Sequence, residues 1–500
     1  MNEMRDLRGF NHKRSVQDYI DETPVWRDGT QVAATPMTAM QRRIWWLAAA
    51  GKFFEGLVVF MTGVTLPLMS REFGMDAFQH GLVGAASLAG ILVGALLLGG
   101  FADQFGRKLM FVAEMVIFII FLALLAVSPS FGWTVVFLFG IGIALGCDYP
   151  TAHLVISESI PSVARGRLVL SAFGFQAVGA LTGTLLGYLV LSNIETVSAW
   201  RIMYAAAILP AVAVAVARLF VPESASWLLA HGRVEEAQQA AQRLLARSPQ
   251  YPKSIELARR SHHTGAAGPG GHDHVHERTP LALLKTPHNR RATILASVPW
   301  FLQDLSTYGI GIFTPTILAA AFGHQADVGR NLSDLVSADL LASEGAALFD
   351  LLLIVGIGVA VALSDRIGRI PLQIAGFVGC AAGLLVAALS TYYSGDRAVT
   401  MVVIGFMLFN FMTNLGPNAQ TYLIAGEVFP TRIRGMGAGF AAAFAKIGAV
   451  LTAFLFPILL ADLGTRTLLF LLIGASLLGA VVTWHYRIET RGRSLDDIGL

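Results

Sequence analysis

The chain has 500 residues, of which 55% are hydrophobic and 14% are charged, and its formal net charge is +3. Soluble domains carry about 25% charged residues, so this composition excludes an ordinary soluble protein and indicates a membrane protein. The basic residues lie in loops rather than along one face, so no nucleic-acid partner is predicted. Cys147 and Cys380 both lie in apolar segments, where a disulfide is not expected.

Runs of roughly 18 or more mostly apolar residues predict membrane-spanning helices. Residues 1–44 are polar and contain no apolar core, so no signal peptide is evident and the first predicted helix must direct insertion. The fold class predicted is an all-α membrane protein with twelve transmembrane helices in two pseudo-symmetric six-helix halves. The twelve runs are 46–69, 79–101, 109–126, 133–157, 168–191, 200–221, 292–320, 344–365, 370–390, 399–424, 436–460 and 464–486.

A polar stretch divides the two halves and carries a cluster of histidines. Such a tract can bind metal weakly, but it is more typical of a connector, so no metal site is predicted. Residues 234–247 have helical composition and are expected to lie along the membrane surface. The histidines are His262, His263, His272, His274 and His276. The predicted parts are an N-terminal segment 1–44, a bundle 45–221, a linker 222–291, a second bundle 292–486 and a tail 487–500.

Lysine and arginine are concentrated in alternate loops. They follow the second, fourth, sixth, eighth, tenth and twelfth predicted helices, whereas the intervening loops 127–132, 192–199 and 321–343 are poor in basic residues. Because basic loops stay on the cytoplasmic side, both termini are predicted to be cytoplasmic in a plasma or inner membrane.

Two motifs occur once in each half. Glu158-Ser-Ile-Pro-Ser-Val-Ala-Arg165 is repeated as Glu427-Val-Phe-Pro-Thr-Arg-Ile-Arg434, and Asp103-Gln-Phe-Gly-Arg107 is repeated as Asp365-Arg-Ile-Gly-Arg369. Parallel repeats place a substrate site between the halves near the membrane midplane. We expect these charged residues to form a cytoplasmic gate that closes in one state and opens in another. The alternative is that they only set topology.

These loops resemble those of the major facilitator superfamily. Gly99-Gly-Phe-Ala-Asp-Gln-Phe-Gly-Arg-Lys108 is similar to its signature between helices 2 and 3. The segments 222–233 and 489–495 are similar to sugar-porter signatures after helices 6 and 12. The resemblance spans residues 45 to 500 and implies transport by alternating access.

The seventh predicted helix contains an acid inside an apolar run. Trp300, Asp304 and Tyr308 recur every four residues and therefore share one helix face. An ionised aspartate near the bilayer centre costs roughly 2.5–3.5 kcal/mol, so such residues are usually functional. Our hypothesis is that Asp304 takes up and releases the proton that drives transport of a small anion.

Other polar residues inside the predicted helices complete a candidate site. Taken singly, each could be a packing or interhelical contact; Glu55 could pair locally with Lys52, and Lys446 could extend to the membrane surface. Tyr149 and Asn418 occupy equivalent positions of the repeat and are expected to face each other. His153 is interpreted as packing. The set is Lys52, Glu55, Asp148, Tyr149, Gln176, Asn414, Asn418 and Lys446.

In the identity and order of these polar residues the chain is similar to phosphate:proton symporters, a branch related to sugar porters. That resemblance implies substrate binding by Tyr149, Gln176, Trp300, Asp304, Tyr308 and Asn418. It implies proton coupling by Asp304, Asp148, Glu55 and Lys446. One departure lies in helix 1, where the family has Asp-x-Tyr-Asp and this chain has Glu55-Gly-Leu-Val58.

The sequence therefore predicts a monomeric transporter that imports inorganic phosphate with protons and needs no cofactor beyond the proton gradient. Protonated Asp304 could donate a hydrogen bond to a phosphate oxygen, whereas ionised Asp304 would repel the anion. An organic acid, such as an aromatic acid, or a sugar is the alternative cargo. A nutrient sensor on a transporter fold is the alternative of another class. An enzyme is not predicted, since the helices contain no nucleophile–base pair.

Overall fold

The computed structural model describes residues 15–23, 36–98, 101–162, 165–246, 255, 257, 286–321, 332–430 and 433–491. The histidines predicted to form the connector lie outside these residues. Within them, ten helical segments are long and apolar enough to cross a membrane. One of these, Met436–Tyr486, is 51 residues long, enough for two crossings, and the helix Pro287–Ala321 adds a further long segment.

We number the twelve membrane helices α1 to α12. The first six are α1 (Ala39–Phe73), α2 (Ala77–Leu98), α3 (Arg107–Ala126), α4 (Phe131–Ser157), α5 (Arg165–Phe173 and Phe175–Leu191) and α6 (Ala199–Ala206 and Ile208–Leu219). The next four are α7 (Pro287–Ala321), α8 (Leu332–Ile367), α9 (Arg369–Leu389) and α10 (Asp396–Leu415 and Pro417–Glu427). The helical run Arg434–Tyr486 is divided by Gly464 (φ 74°) into α11, residues 434–463, and α12, residues 465–486.

Shorter helices precede or connect these spans. They are Val16–Asp21, Phe101–Phe105, Ala225–Ala230 and Val234–Leu245, and a 3₁₀ turn at Ser390–Tyr392. The helix predicted at 234–247 is therefore present. The prediction of a loop over 321–343 is wrong from Leu332 onward, because α8 begins there. A helix bonds its own backbone, so it can continue past the apolar stretch that periodicity detects.

Glycines let the helices of the first half approach closely. A Cβ at Gly56 on α1 would lie 1.9 Å from the carbonyl oxygen of Gln176 on α5, and one at Gly179 would lie 1.9 Å from the oxygen of Phe53. Small residues at such crossings allow backbone contact in membranes. This contact fixes α1 against α5 at the level of the candidate site.

The loops that carry the predicted gate lie at the end of the bundle where α1 begins and α12 ends, which we call the terminal end. There Phe173 on α5 stacks on Tyr422 on α10 with ring centroids 4.5 Å apart. At the opposite, far end, a Cβ at Gly63 on α1 would lie 2.2 Å from the oxygen of Ile312 on α7. The two halves therefore touch on both sides of the bundle centre.

Substituting the crossing glycine tests this packing. We expect Gly56→Ala to lower the melting temperature of the detergent-solubilised protein, because the added methyl group meets backbone atoms that cannot rotate away. Overpacking of this kind costs roughly 1–3 kcal/mol. Gly358→Ala on α8 is the matched control, since nothing lies within 4 Å of a Cβ there. A Gly56→Ala protein as stable as the Gly358→Ala protein would contradict the close contact.

Candidate functional site

A buried lysine on α11 lies at the centre of the candidate site. Lys446 Nζ is 3.2 Å from Asp304 Oδ2 and donates a hydrogen bond of 2.7 Å to the hydroxyl of Tyr308. The ammonium also lies 4.5 Å from the centroid of the Tyr308 ring. Asp304 and Tyr308 are one turn apart on α7, so both reach the same cation.

Glu55 on α1 joins this group from the other half of the chain. Its Oε1 lies 3.8 Å from Lys446 Nζ and accepts hydrogen bonds from Gln176 Nε2 (3.2 Å) and the Tyr308 hydroxyl (3.3 Å). Its Oε2 pairs with Lys52 Nζ at 3.0 Å. Gln176 also donates to the Tyr308 hydroxyl at 3.1 Å. Helices α1, α5, α7 and α11 thus meet in one hydrogen-bonded group.

We call these six side chains the central cluster: Lys52, Glu55, Gln176, Asp304, Tyr308 and Lys446. Each is at most 8% exposed. Two of them are cations and two are carboxylates, so the cluster is electrically neutral when all four are ionised. Buried charges are tolerated when they are paired and hydrogen-bonded. A change of protonation therefore gives the cluster a net charge, which a bound ion of opposite charge would compensate.

Trp300 and the two asparagines lie beside the central cluster. Trp300 is 3% exposed, is within hydrogen-bonding reach of Asp304, and packs edge-on against Tyr422 at 6.1 Å. Asn418 Nδ2 donates to Asn414 Oδ1 at 2.6 Å, and Asn414 Nδ2 donates to the oxygen of Leu353 on α8 at 2.9 Å. Both asparagines flank the break in α10.

The break in α10 has a local cause. Gly416 precedes Pro417, which has no backbone N–H and therefore begins a new helical segment rather than continuing the old one. Gly416 also contacts α9 closely, since a Cβ there would lie 2.5 Å from Gly376 Cα. The break brings the Asn414 and Asn418 side chains to the same small cavity.

That cavity lies between the halves and has a volume of about 20 Å³. A water molecule needs about 10–15 Å³ by this kind of measure, so the space holds roughly one water. A substrate of several heavy atoms would enter only if the halves moved apart. The lining residues are Phe60, Gln176, Ala177, Ala180, Thr307, Tyr308, Leu353, Asn414 and Asn418.

Asp148 does not join the central cluster. Its Oδ1 lies 3.3 Å from Arg218 Nη2 on α6, and the same guanidinium pairs with Glu114 Oε1 on α3 at 2.5 Å. Arg218 also donates to the backbone oxygens of Phe111 (2.6 Å) and Leu47 (3.0 Å). The structure thus pairs Asp148 with Arg218 rather than with Lys446, the cation of the predicted coupling set. We call Glu114, Asp148 and Arg218 the Arg218 cluster.

Three buried charged residues were missed by the sequence analysis: Glu114, Arg218 and Asp350. Each lies inside a predicted apolar run, so the criterion that identified Asp304 would have found them. Asp350 on α8 is 5% exposed, and its Oδ2 is hydrogen-bonded to Thr184 Oγ1 on α5 at 2.7 Å. Val58, where the resembling family has a second acid, is 0% exposed and packs in the apolar core.

The described part of the predicted gate forms ion pairs at the terminal end. Arg107 Nη2 lies 3.2 Å from Glu158 Oε1. Arg369 pairs with Asp365 at 3.0 Å and with Glu427 at 3.2 Å. The side chains of Asp103, Tyr149, His153, Arg165 and Arg434 lie outside the described part of the chain, so their predicted roles stay predictions.

Two further acids bind the same loops. Glu223 Oε1 accepts hydrogen bonds from the backbone N–H groups of Arg107 (2.9 Å) and Lys108 (3.0 Å), at the start of α3. In the second half Glu489 accepts from the backbone of Arg369 and Ile370, both at 3.1 Å. The repeat of the sequence is therefore also a repeat of local geometry.

A model of the family described as "Sugar (and other) transporter" matches residues 44–499 of this chain. The chain belongs to this family of the major facilitator superfamily. The predicted twelve-helix fold class is accordingly confirmed.

Relatives within this family differ in the cargo that their names give. The niacin transporter NiaP of Acinetobacter baylyi is 26% identical over 94% of this chain and 99% of that protein. A candidate inorganic phosphate transporter of Schizosaccharomyces pombe is 26% identical over 92% of this chain and 88% of that protein. The solved structure of the proton:xylose symporter XylE of E. coli has a TM-score of 0.70 at 19% identity, covering 92% of this chain and 98% of that one. The last likeness shows the fold alone.

We predict that the Arg218 cluster contributes strongly to thermal stability. We expect Arg218→Gln to lower thermal stability strongly, because removing one partner of a buried ion pair costs roughly 3–5 kcal/mol. Adding Glu114→Gln should restore part of the loss, since one uncompensated carboxylate is then removed. The measurement is the melting temperature of the purified proteins.

The control for this prediction is Arg201→Gln. Arg201 pairs with Glu72 at 2.7 Å, but both side chains are more than 20% exposed. Partly exposed pairs contribute about 0–1 kcal/mol, so a small shift is expected. Equal losses for Arg201→Gln and Arg218→Gln would show that the buried guanidinium has no special role.

Proposed function

We propose that this protein is a proton-coupled secondary active transporter that imports inorganic phosphate by alternating access. Membership of the family supports membrane transport of a small solute. The observation that favours an anion is the central cluster, where two lysines and two carboxylates from both halves share one buried, hydrogen-bonded group.

The charge of the central cluster supplies the coupling. With Lys52, Glu55, Asp304 and Lys446 all ionised the net charge is zero, so an anion entering from water would not be compensated. Protonation of one acid leaves one positive charge, and protonation of both leaves two, matching a phosphate monoanion or dianion. Proton binding and anion binding therefore favour each other, and this linkage is reciprocal.

Lys446 is the group that would contact the anion. Neutral Asp304 no longer holds the ammonium as an ion pair, so the 3.2 Å contact can be exchanged for one with a phosphate oxygen. A lysine acts as a compact point charge with three donors, which suits a tetrahedral oxyanion that must later leave. Lys52 pairs with Glu55 and would balance a second negative charge.

Neutral donors around the cavity would hold the remaining oxygens. Gln176, Tyr308 and Asn418 line it, and Trp300 lies next to Asp304. Amide and hydroxyl groups donate hydrogen bonds without adding fixed charge. We therefore assign substrate contact to these residues and to Asp304 itself, with proton transfer at Asp304 and Glu55. Tyr149 remains a candidate from sequence.

Alternating access would use the contacts at the two ends. Since Arg107–Glu158 and Arg369–Glu427 each lie within one half, they stiffen the terminal end of that half, and the Phe173–Tyr422 stack closes the gap between halves. We assign the terminal end to the cytoplasm, in a plasma or inner membrane, on the distribution of basic residues. Rocking of the halves would then expose the cavity to one side at a time.

An organic monoacid is the second candidate cargo. The observation in its favour is Val58: α1 carries one acid where the phosphate:proton symporters that the chain resembles have two, and one acid fewer to protonate suits a singly charged solute. The niacin transporter among the relatives gives a concrete example. A sugar is less well supported, because an uncharged solute gains nothing from paired lysines and acids.

Uptake by purified protein in proteoliposomes tests the cargo directly. We expect labelled phosphate to accumulate only when a proton gradient, acidic outside, is applied, because protonation creates the positive site. Niacin and xylose in excess serve as competitors. Accumulation of niacin or xylose with no phosphate uptake would overturn the proposal in favour of the corresponding alternative.

Asp304→Asn tests the proton-linked acid. We expect proton-driven phosphate uptake to fall to the level of protein-free liposomes, because an amide has the size of the acid but cannot bind and release a proton. The melting temperature should fall, because Lys446 loses one buried carboxylate partner, so uptake is compared per amount of folded, reconstituted protein. The matched control is Asp396→Asn, an exposed acid at the start of α10, which should transport normally. Uptake at wild-type level in Asp304→Asn would refute the role of this residue.

A further inference from the structure

An acid that the proposed transport mechanism does not use lies in the interface between the two halves. Asp350 on α8 is buried, and its Oδ2 lies 2.7 Å from Thr184 Oγ1 on α5. Helix α5 belongs to the first half and α8 to the second, so this hydrogen bond must break whenever the two helices separate.

The number of hydrogens available for the contacts of Thr184 indicates whether Asp350 is protonated. Thr184 Oγ1 lies 2.7 Å from Asp350 Oδ2 and also 3.0 Å from the carbonyl oxygen of Ala180. A hydroxyl has one hydrogen, so with ionised Asp350 only one of these two acceptors receives it. With protonated Asp350, the acid donates to Thr184 Oγ1 and the hydroxyl donates to Ala180, so both contacts are hydrogen bonds.

No counter-charge accompanies Asp350. Among the described residues no Lys, Arg or His side chain forms an ion pair with it, and Thr184 is its side-chain partner. Burial of an ionised carboxylate with one hydroxyl donor is strongly disfavoured. The helices packed against α8 carry other titratable or charged groups, none of which bonds to Asp350. Among the described side chains they are Arg42, Arg43, Lys52, Glu55, Arg71 and Glu72 on α1, Arg167 and Tyr188 on α5, His288, Arg290, Arg291, Asp304 and Tyr308 on α7, Arg369 and Cys380 on α9, and Asp396, Arg397, Tyr422 and Glu427 on α10.

The position of the pair connects it to the central cavity. Ala180 and Leu353 line that cavity. Thr184 and Asp350 lie about one turn from them on the same helices, in each case toward the far end. Water that enters between α5 and α8 from the far end would therefore reach Asp350 before it reaches the cavity.

We propose that Asp350 is a second proton site, separate from the central cluster, which holds its proton while α5 and α8 are in contact. Loss of that proton leaves a charge that only water can solvate, so it favours separation of the two helices at the far end. Return of the proton favours closure. The assignment concerns this interface and holds whichever solute is carried.

Infrared spectroscopy of the full-length protein in lipid bilayers tests the assignment. The carbonyl stretch of a neutral carboxylic acid is separate from that of a carboxylate, so pH-difference spectra report titrating acids. We expect one such band to be lost in Asp350→Asn and shifted in Thr184→Val, which removes its hydrogen-bond partner. The band should persist in Asp304→Asn and in the surface control Asp396→Asn.

Two results would overturn the proposal. One is an identical set of bands in the wild type and in Asp350→Asn, which would show that Asp350 does not titrate over the pH range measured. The other is an unshifted band in Thr184→Val, which would place the proton on another group. The second variant keeps the acid, so the test stands even if Asp350→Asn fails to fold.

The link to opening is tested by cysteine accessibility. Ala347, one turn before Asp350 on α8, is 7% exposed, so a cysteine there is modified only when the interface opens. Ala347→Cys is introduced with Cys147→Ala and Cys380→Ala, with and without Asp350→Asn. A water-soluble maleimide should label the protein several-fold faster at high pH when Asp350 is present.

With Asp350→Asn the labelling rate should follow only the intrinsic pH dependence of the thiol reaction. Equal pH dependence in the two backgrounds would contradict the coupling of this proton to opening. The assay uses no substrate, so its failure would leave the proposal of phosphate transport untouched. Conversely, a failed phosphate uptake assay would not affect this result.

Discussion

The interaction on which the rest of the structure depends is the burial of Lys446 between Asp304 and Glu55. An isolated ammonium in the low-dielectric interior is costly, so the cation requires both carboxylates, the Tyr308 hydroxyl and the exclusion of lipid. Asp304 comes from α7 and Glu55 from α1. The two halves are therefore tied together by a buried group whose charges compensate each other, and in the mechanism that we propose movement of the halves changes the protonation of these acids.

Contacts within one half can stay intact when the halves move, whereas contacts between the halves must change. The Arg218 cluster lies wholly within α3, α4 and α6 and can stay intact while the halves rock, so it stabilises the first half as a rigid body. The bonds of Glu55 with Lys446, of Gln176 with Tyr308 and of Thr184 with Asp350 cross the interface. Only groups of the second kind can link proton binding to movement. Asp148 pairs with Arg218 within the first half, unlike Asp304, and its predicted role in proton coupling stays a prediction.

The fold was predictable from sequence because each span leaves an apolar run of the right length and the loops alternate in charge. The order of Gln176, Asp304, Tyr308 and Lys446 along three helices was enough to expect them in one place. The sequence could not show that Asp148 faces Arg218, because which helix faces which depends on packing between non-adjacent spans. The extension of α8 to Leu332 was missed although Leu332, Leu335, Val336 and Leu340 recur at helical spacing, because the acids Asp334 and Asp339 interrupt the apolar run. Glu114 and Asp350 are acids inside apolar runs, as Asp304 is. They were missed because those runs were assessed only for their length.

Helix α1 shows how one substitution can alter the charge of a transport site without altering its position. The phosphate:proton symporters that this chain resembles have two acids in the segment where it has Glu55 and Val58. Val58 packs in the apolar core and Lys52 pairs with Glu55, so α1 supplies one acid and one base. The four charges of the cluster therefore cancel before any proton or solute binds. A second acid at position 58 would give the fully ionised cluster one net negative charge, so Val58 lowers from two to one the number of protons that must bind before the cluster becomes positive.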